Sequence, residues 1–241
     1  MTPDIHTLYG VIDATWPPAT LKRTGPWTIR EGQGGGQRVS AATAEGPVGE
    51  GDVDHAEDAM RALGQPPLFM IRAGQSDLDD MLAARGYAVV DPVNAYLGPL
   101  SPLIEDPAPR ALVFSIWPPL AIQIDIWAKG GIGAGRIAVM ERAENPKTSI
   151  LGRHDHTPAA SAFVAIHERI AMIHAVEVVE NCRRLGIGEM VTRQAARWAA
   201  EHGATHLSTL CTKANIGANA LYSSIGLSVV GQYHYRKAKE D

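Results

Sequence analysis

The chain has 241 residues, of which 45% are hydrophobic and 20% charged, and its formal net charge is −4 at pH 7. This charge argues against a nucleic-acid-binding protein that relies on bulk positive charge, and no stretch approaches the roughly 18 consecutive apolar residues of a membrane span. Cys182 and Cys211 are too few cysteines for a disulfide scaffold, and the first residues lack the basic and apolar segments of a signal peptide. We therefore expect a cytoplasmic protein with no nucleic-acid or membrane partner.

The first hundred residues alternate apolar patterns of helical and strand period, broken by glycine and proline. They predict helices at residues 5–16, 52–63 and 75–87, and strands at 27–30, 38–42, 68–72 and 88–96. The run Gly34–Gly36 predicts a loose hairpin rather than a phosphate loop, because no helix follows it directly. The proline-rich stretch 97–109 opposes regular structure and predicts a linker.

The rest of the chain predicts strands and helices in the order β-α-α-β-β-β-α-β-α-β. The strands are expected at residues 111–115, 148–152, 162–167, 170–179, 206–212 and 227–235. The helices are expected after Pro118-Pro119, at 136–143, from Ile187 to Gly203, and at 216–225.

One unit occurs twice in the sequence: a strand, a helix, a glycine and a second strand. The first copy includes residues 68–86 and the second includes residues 207–226, at nearly equal intervals. The repeat predicts two related halves, residues 1–105 and 106–241. Because such units are common, chance similarity is the alternative explanation.

The segment Arg183-Arg184-Leu185-Gly186-Ile187-Gly188 joins the predicted strand at 170–179 to an amphipathic helix. Free backbone N–H groups at a helix start point outward, and the helix dipole favours negative charge there. Gly186 and Gly188 let an anion approach the main chain closely, and the two arginines add hydrogen-bond donors. The segment therefore predicts a site for an anionic cofactor.

Two common phosphate-binding patterns do not fit this segment. A dinucleotide-binding fingerprint requires a third glycine where Val191 stands, and the lysine-containing pattern of a P-loop is absent. The segment instead resembles the R/Q-x-x-G-x-G/A signature of the GNAT N-acetyltransferase superfamily, which cradles the pyrophosphate of acetyl-CoA. Residues 215–227 resemble the family's N-x-x-A-x-x-L-Y-x-x-x-G-F segment, with Leu227 in place of the usual phenylalanine and Glu180 in place of a proline upstream.

The resemblance implies an α/β (α+β) GNAT fold with a mixed, mostly antiparallel central sheet flanked by helices. It also implies a tandem arrangement, in which a degenerate GNAT-like N-terminal domain (1–105) packs beside a competent C-terminal domain (106–241) and shapes the substrate site. Matched position by position, it implies that acetyl-CoA contacts Val176, Val178, Arg183, Arg184, Leu185, Gly186, Ile187, Gly188 and Asn215. No metal is expected, since His154-Asp155-His156 offers two imidazoles without a third ligand.

Acetyl transfer to an amine requires a proton acceptor for the amine and a proton donor near the departing thiolate. The resemblance assigns the donor to Tyr222, for which a packed aromatic ring is the alternative; its counterpart in the first copy is Leu82. His174 or Glu177 could accept the proton. Strand alternation predicts that these two side chains point to opposite faces, with His174 on the face of Val176 and Val178. A core histidine bonded to backbone is the alternative for His174.

These observations favour an acyltransferase that moves an acetyl group from acetyl-CoA to a primary amine by direct attack on the thioester. A non-catalytic acyl-CoA-binding regulatory module is the alternative from another functional class. The acceptor, a small-molecule or peptide amine, is not identified by the sequence, and both a monomer and a homodimer remain open.

Overall fold

The computed structural model describes residues 3–105, 112–144 and 146–238. The strands are β1 (Thr20–Thr24), β2 (Trp27–Glu31), β3 (Thr43–Ala44), β4 (Leu68–Ile71), β5 (Ala88–Pro99), β6 (Val113–Ile116), β7 (Lys147–His154), β8 (Thr157–His167), β9 (Ile170–Val178), β10 (His206–Thr212) and β11 (Ser228–Lys237). The helices are α1 (Ile5–Thr15), α2 (Glu50–Ala62), α3 (Ser76–Ala84), α4 (Ser101–Ile104), α5 (Ala121–Lys129), α6 (Ala134–Arg142), α7 (Ile187–Glu201) and α8 (Ile216–Ser224). None of the helices in these ranges is long and apolar enough to cross a bilayer.

Eight strands form one sheet in the order β4-β11-β5-β10-β9-β8-β7-β6, and β1, β2 and β3 form a small antiparallel sheet. Neighbouring strands of the large sheet are antiparallel except β9 and β10, which run parallel. This confirms the mixed, mostly antiparallel sheet flanked by helices. Strands from both predicted halves contribute to it, because β5 lies between β10 and β11.

The large sheet is covered on both faces. Along β9, Ala171 and Ile173 pack in the core under α7, whereas Ile170 and Met172 pack on the opposite face with α1. The helices α5 and α6 extend that second face over β8 through a further cluster centred on Trp127. Because β9 is covered on both sides, whatever it binds must enter along its edge.

Helix α7 forms where the apolar positions recur every three or four residues. Its stripe consists of Ile187, Val191, Ala195 and Trp198, all of which are buried against the sheet. Fully burying one large aliphatic side chain contributes about 1.5–3 kcal/mol, so packing rather than helix propensity holds this helix in place. Gly203, with φ of 83°, ends the helical run as expected.

The prediction of a strand at residues 38–42 is wrong. A strand was expected at 38–42, but Gln37–Val39 is a 3-10 turn and the strand β3 begins at Thr43. Gly36, with φ of 94°, turns the chain there and directs Val39 into the core.

The expected linker at 97–109 is ordered at its start, because β5 continues through Pro99 and α4 follows it. The physical reason is burial: Leu100 and Leu103 lie in the core beside α7. The rest of that stretch from residue 106, and Ala111 of the first predicted strand in the second half, lie outside the described residues.

The repeated unit appears in the structure as β4-α3-β5 and β10-α8-β11. When the two units are aligned so that Gly86 corresponds to Gly226, the β4–β11 pairing corresponds to the β10–β5 pairing. For example, the pair Ile71 and His234 becomes the pair Cys211 and Asn94. The same alignment relates the turns after the helices, where Tyr87 N–H donates to Leu82 and Leu227 N–H donates to Tyr222. The two units therefore interlock around an approximate twofold axis between β5 and β11.

Candidate active site

A cleft opens where β9 and β10 separate. Their parallel ladder runs from the pair Ile170 and His206 to the pair Ile173 and Thr209 and is recorded no further. At the fork, the Thr209 hydroxyl donates to the Ile173 carbonyl oxygen at 3.2 Å. Beyond it lies a cavity of about 830 Å³ whose lining includes both strands, the start of α7 and one side of α8.

A β-bulge at Ala175 accompanies this separation. The β8–β9 pairing steps from Phe163–His174 to Ser161–Glu177, so β9 carries one extra residue, and Ala175 has φ of 51°. The Trp127 indole N–H donates to the Ala175 carbonyl oxygen at 2.8 Å and fixes the distortion from the α5 side. A bulge increases local bending of a strand, which here directs the second half of β9 away from β10.

The bulge overturns the expectation that His174 and Glu177 face opposite sides. Both pair with β8 residues two positions apart, so both point to the same face of the sheet. His174 contacts the Phe163 ring on the face of α1 and α5, whereas Val176 and Val178 pack under α7. The expectation that His174 shares a face with these valines is therefore also wrong, since the extra residue resets the alternation.

The turn before α7 presents backbone donors to the cleft. Gly186 is the N-cap in the left-handed region (φ 77°), and no side chain caps the helix, so its first amides have no partner within the helix or from a capping group. A Cβ at Gly188 would lie 3.2 Å from Leu221 Cδ2, which leaves little space for a side chain. Glu189, in the same turn, is bound by Arg193 at 2.8 Å. This turn has the geometry of an anion site.

The basic residues of the turn lie at its exposed rim. Arg183 donates through Nε to the Val178 carbonyl oxygen at 3.1 Å and through Nη2 to Glu177 Oε1 at 3.2 Å. Arg184, with φ of 65°, also lines the cleft. Leu185 is 51% exposed and lines a neighbouring cavity of about 380 Å³ instead. Eight of the nine predicted coenzyme-contacting residues line the main cleft, and Leu185 is the exception.

Helix α8 supplies the opposite wall. Asn215 lines the cleft, but its side-chain Oδ1 accepts from the Ala218 N–H at 3.0 Å and so caps the helix. Tyr222 is buried, with its ring 5.6 Å from that of Tyr96. Burial raises the pKa of Tyr222 to about 12, despite an opposing hydrogen bond with Thr209. The phenol is therefore neutral at pH 7 and able to donate a hydrogen bond.

His174 is buried with both ring nitrogens engaged. Thr15 Oγ1 donates to the Val11 carbonyl oxygen, so its contact with His174 Nε2 at 2.9 Å is an N–H donated by the histidine. His174 Nδ1 then accepts from Arg38 Nη1 at 3.0 Å. Burial, and secondarily the charge of Arg38, hold the pKa of His174 well below its usual range. His174 is thus a neutral acceptor for Arg38, and its role as catalytic base stays a prediction.

Sequence reasoning missed Arg38, which lines the cleft although it lies far from the motif in sequence. No local pattern around Arg38 indicates this, because the contact depends on how the N-terminal half packs against β9. Cys211 also lines the cleft, where burial raises the pKa of its thiol to about 11. It is therefore a protonated thiol at neutral pH and not an activated nucleophile.

Comparisons with known proteins agree with this geometry. Residues 120–227 match the model of the "Acetyltransferase (GNAT) family". The uncharacterized N-acetyltransferase YobR of Bacillus subtilis (strain 168) is 27% identical over 243 residues, covering 97% of this chain and 98% of that protein.

Solved structures share the fold across nearly the whole chain. A GCN5-related N-acetyltransferase from Kribbella flavida superposes with a TM-score of 0.75 at 19% identity, covering 100% of this chain and 97% of that one. A tandem GNAT protein from the clavulanic acid biosynthesis pathway superposes with a TM-score of 0.61 at 14% identity, covering 98% and 89%. Residues 120–227 thus match the GNAT acetyltransferase family, and these solved structures share the fold across nearly the whole chain.

Proposed function

We propose that the protein is an N-acetyltransferase that moves an acetyl group from acetyl-CoA to a primary amine by direct attack on the thioester. The observation that carries the proposal is the fork between β9 and β10. It joins an uncapped helix start on one face of the sheet to His174, Glu177 and Arg38 on the other. One passage therefore connects an anion site with a separate polar pocket, as a transfer between two substrates requires.

The residues present fit the coenzyme. The amides at Gly186, Ile187 and Gly188, with Arg183 and Arg184 beside them, would hold the pyrophosphate. The part of β9 that has left β10 has an edge free of the β10 ladder at Val176 and Val178, where the amide groups of the pantetheine arm can pair as an added strand. Acetyl-CoA supplies the acetyl group when it is bound.

Tyr222 would hold a proton close to the sulfur. Because burial keeps its phenol neutral, it offers a donor rather than a charge at the point where negative charge develops. Leu82, its counterpart in the first unit, has no such group.

Glu177 is the stronger candidate for receiving the amine proton. Its carboxylate is half-buried and bound on one oxygen by Arg183. His174 would have to give up its bond from Arg38 and become a second cation beside it. Geometry therefore favours Glu177, acting directly or through water, with His174 in a supporting position.

The N-terminal half would act as a substrate-shaping partner and bind no coenzyme of its own. Arg38 supports this, because a residue of the N-terminal half lines the cleft formed in the C-terminal half. We therefore expect one coenzyme per chain and a small-molecule or peptide amine as acceptor, in a cytoplasmic enzyme.

Calorimetric titration with acetyl-CoA, followed by thiol release across a panel of primary amines, tests the proposal. We expect one bound acetyl-CoA per chain and amine-dependent release of thiol. Binding without turnover on any amine would instead support a regulatory acyl-CoA-binding module. An absence of binding would overturn both functions.

A further inference from the structure

The acceptor side of the cleft contains a positive charge from the N-terminal half. Arg38 lies in the 3-10 turn after Gly36, is half-buried, and lines the cleft on the face that also carries His174 and Glu177. The anion-binding turn at Gly186 begins α7, which packs on the opposite face of the sheet, although both line the same cleft. A group bound at Arg38 therefore belongs to the acceptor and not to the coenzyme's phosphates.

Arg38 differs from the other enclosed arginines of this half in having no carboxylate partner. Arg30 pairs with Asp13 at 2.7 Å and Arg72 with Glu45 at 3.4 Å. Within residues 3–105, 112–144 and 146–238, no carboxylate lies within ion-pair distance of Arg38, and its buried Nε has no hydrogen-bond acceptor. A charge removed from water without a counter-charge is costly, so a ligand anion at this position would be stabilising.

The surroundings hold this guanidinium in one orientation. The Val11 carbonyl accepts from Thr15, Thr15 accepts from His174, and His174 accepts from Arg38. The Trp16 ring lies 5.7 Å from the guanidinium carbon. A chain of bonds from α1 through β9 thus positions the arginine, which is how a binding site limits the entropy cost of recognition.

We propose that the acceptor is a primary amine that also carries a carboxylate, as an amino acid does, and that Arg38 binds this carboxylate. This inference rests on the proposed function and names its substrate class. A planar guanidinium matches a carboxylate in shape and charge, and the same charge opposes polyamines and other polycationic amines. His174 is the positioning residue that holds Arg38.

The carboxylate takes no part in the bond changes. The amine nitrogen forms a bond to the acetyl carbonyl carbon, and the carbon–sulfur bond breaks. The amine loses one proton to its acceptor, and the coenzyme sulfur gains one. Arg38 fixes the direction from which the nitrogen approaches and is unchanged at the end.

Thiol release with matched amines tests the inference. Each amino acid is compared with its methyl ester and its primary amide, which keep the amine but remove the charge. We expect kcat/KM for the acid to exceed that of either neutral derivative by roughly 10- to 100-fold. Equal rates, or a preference for polyamines, would overturn the proposal.

Variants locate the effect at Arg38. Arg38→Met should remove the preference by raising KM, and Arg38→Lys should restore part of it. Arg136→Met is the matched control, because Arg136 packs against the same Gly36 turn without lining the cleft. It should leave the preference intact, and a uniform loss across acids and esters in Arg38→Met would contradict a binding role.

A binding measurement separates this inference from the proposed function. N-acetylated amino acids and their methyl esters are titrated into wild type and Arg38→Met in the presence of coenzyme A. Selective binding of the acids that Arg38→Met abolishes supports the carboxylate site, even if no amine turns over and the transferase proposal fails. Equal binding of acids and esters, or no binding of acids, overturns the site even if acetyl-CoA binds.

Discussion

Compared with the open cleft beside β10, the equivalent place beside β4 is closed. Ala42 and Phe69 form an isolated parallel bridge, which corresponds to the last pair of the β9–β10 ladder, Ile173 and Thr209. Past that bridge, Gln75 Nε2 donates to the Ala44 carbonyl oxygen at 2.9 Å and ties the two sides together. Its counterpart Asn215 keeps its side chain on its own helix. The Gln75 side chain therefore closes the fork beside β4, whereas its counterpart Asn215 leaves the fork beside β10 open.

The helices beside the two forks differ in the same sense. In the first turn of α2, Glu50 is bound by Arg85 at 3.0 Å, whereas the Asp52 carboxylate accepts from the Gly49 N–H at 2.9 Å and has no ion pair within the described residues. At α7, Arg193 pairs with the one acidic residue of the first turn, so no unpaired carboxylate stands at the helix start. A carboxylate without an ion pair at a helix start disfavours a second anion there, because both compete for the same end of the helix dipole. This contrast supports the proposal that the N-terminal half is degenerate.

The sharpest test of the contrast is a bulky residue at the second position of each helix. We expect Gly188→Trp, alone or with Arg183→Ala, to abolish acetyl-CoA binding, because even a Cβ is tight against Leu221. Gly51→Trp is the matched control in α2, where a Cβ meets nothing within 4 Å. Calorimetric titration should show unchanged affinity for the control, and thermal unfolding should confirm that both variants fold. Lost binding in Gly51→Trp would place the coenzyme in the first unit.

Removing one hydroxyl from each of two tyrosines whose rings are in contact tests the proposed role of Tyr222 as proton donor. We expect Tyr222→Phe to lower kcat by about 100-fold while sparing the Kd for acetyl-CoA, because the lost group is the proton donor. Tyr96→Phe is the control: it loses a bond to Asn219 Oδ1 at 2.9 Å but no group proposed for chemistry. Steady-state rates and calorimetry provide both readouts. Equal losses in the two variants would reduce Tyr222 to a packing role.

His174→Gln distinguishes a positioning histidine from a base. Since Gln can still accept from Arg38, we expect KM for the amine to rise about tenfold with little change in kcat or its pH profile. The pH dependence of initial rates provides the measurement. A fall in kcat of about 100-fold with loss of the acid limb would assign the base to His174 and contradict Glu177.

The smallest expected effect concerns two equivalent clusters of side chains, one joined by ion pairs and one by neutral hydrogen bonds. Asp79 Oδ1 accepts from His234 Nε2 at 2.8 Å and from Arg236 Nε at 2.6 Å. The alignment that relates the units carries these residues onto Asn219, Asn94 and Tyr96, which are joined by neutral hydrogen bonds.

Burial acts to raise the pKa of Asp79, but bonds from Arg236 and His234 outweigh it and lower the pKa. Its stabilisation is therefore present above the unfolded pKa of about 3.9 and lost as pH falls through the lower folded value. We expect Asp79→Asn to cost about 1 kcal/mol at pH 7 and progressively less in acid. Urea unfolding across pH should show a constant cost for Asn219→Ala. If the loss of unfolding free energy in Asp79→Asn were also independent of pH, the ion pairs of Asp79 would not account for its stabilising effect.

Local patterns predicted α7 and the turn before it, because helix period and glycine spacing act over a few residues, whereas Tyr222 was identified by the family resemblance. The bulge at Ala175 was not predictable, since it is defined by pairing with β8 and reverses the faces assigned to His174. Arg38 and the place of β5 between β10 and β11 depend on contacts distant in sequence. The roles of the site residues remain predictions until the variants above are measured.

The position of β5 has a consequence for how the polypeptide could have arisen and how it can be divided. Two separate copies of a strand–helix–strand unit could make the same interlock by exchanging strands across a dimer, and a single chain makes it internally. The inner edges of β5 and β11 are paired with each other, leaving β4 and β6 at the ends of the sheet. A break near residue 105 would therefore leave β10 and β11 separated by a gap one strand wide, and each fragment would need the other to fill its sheet.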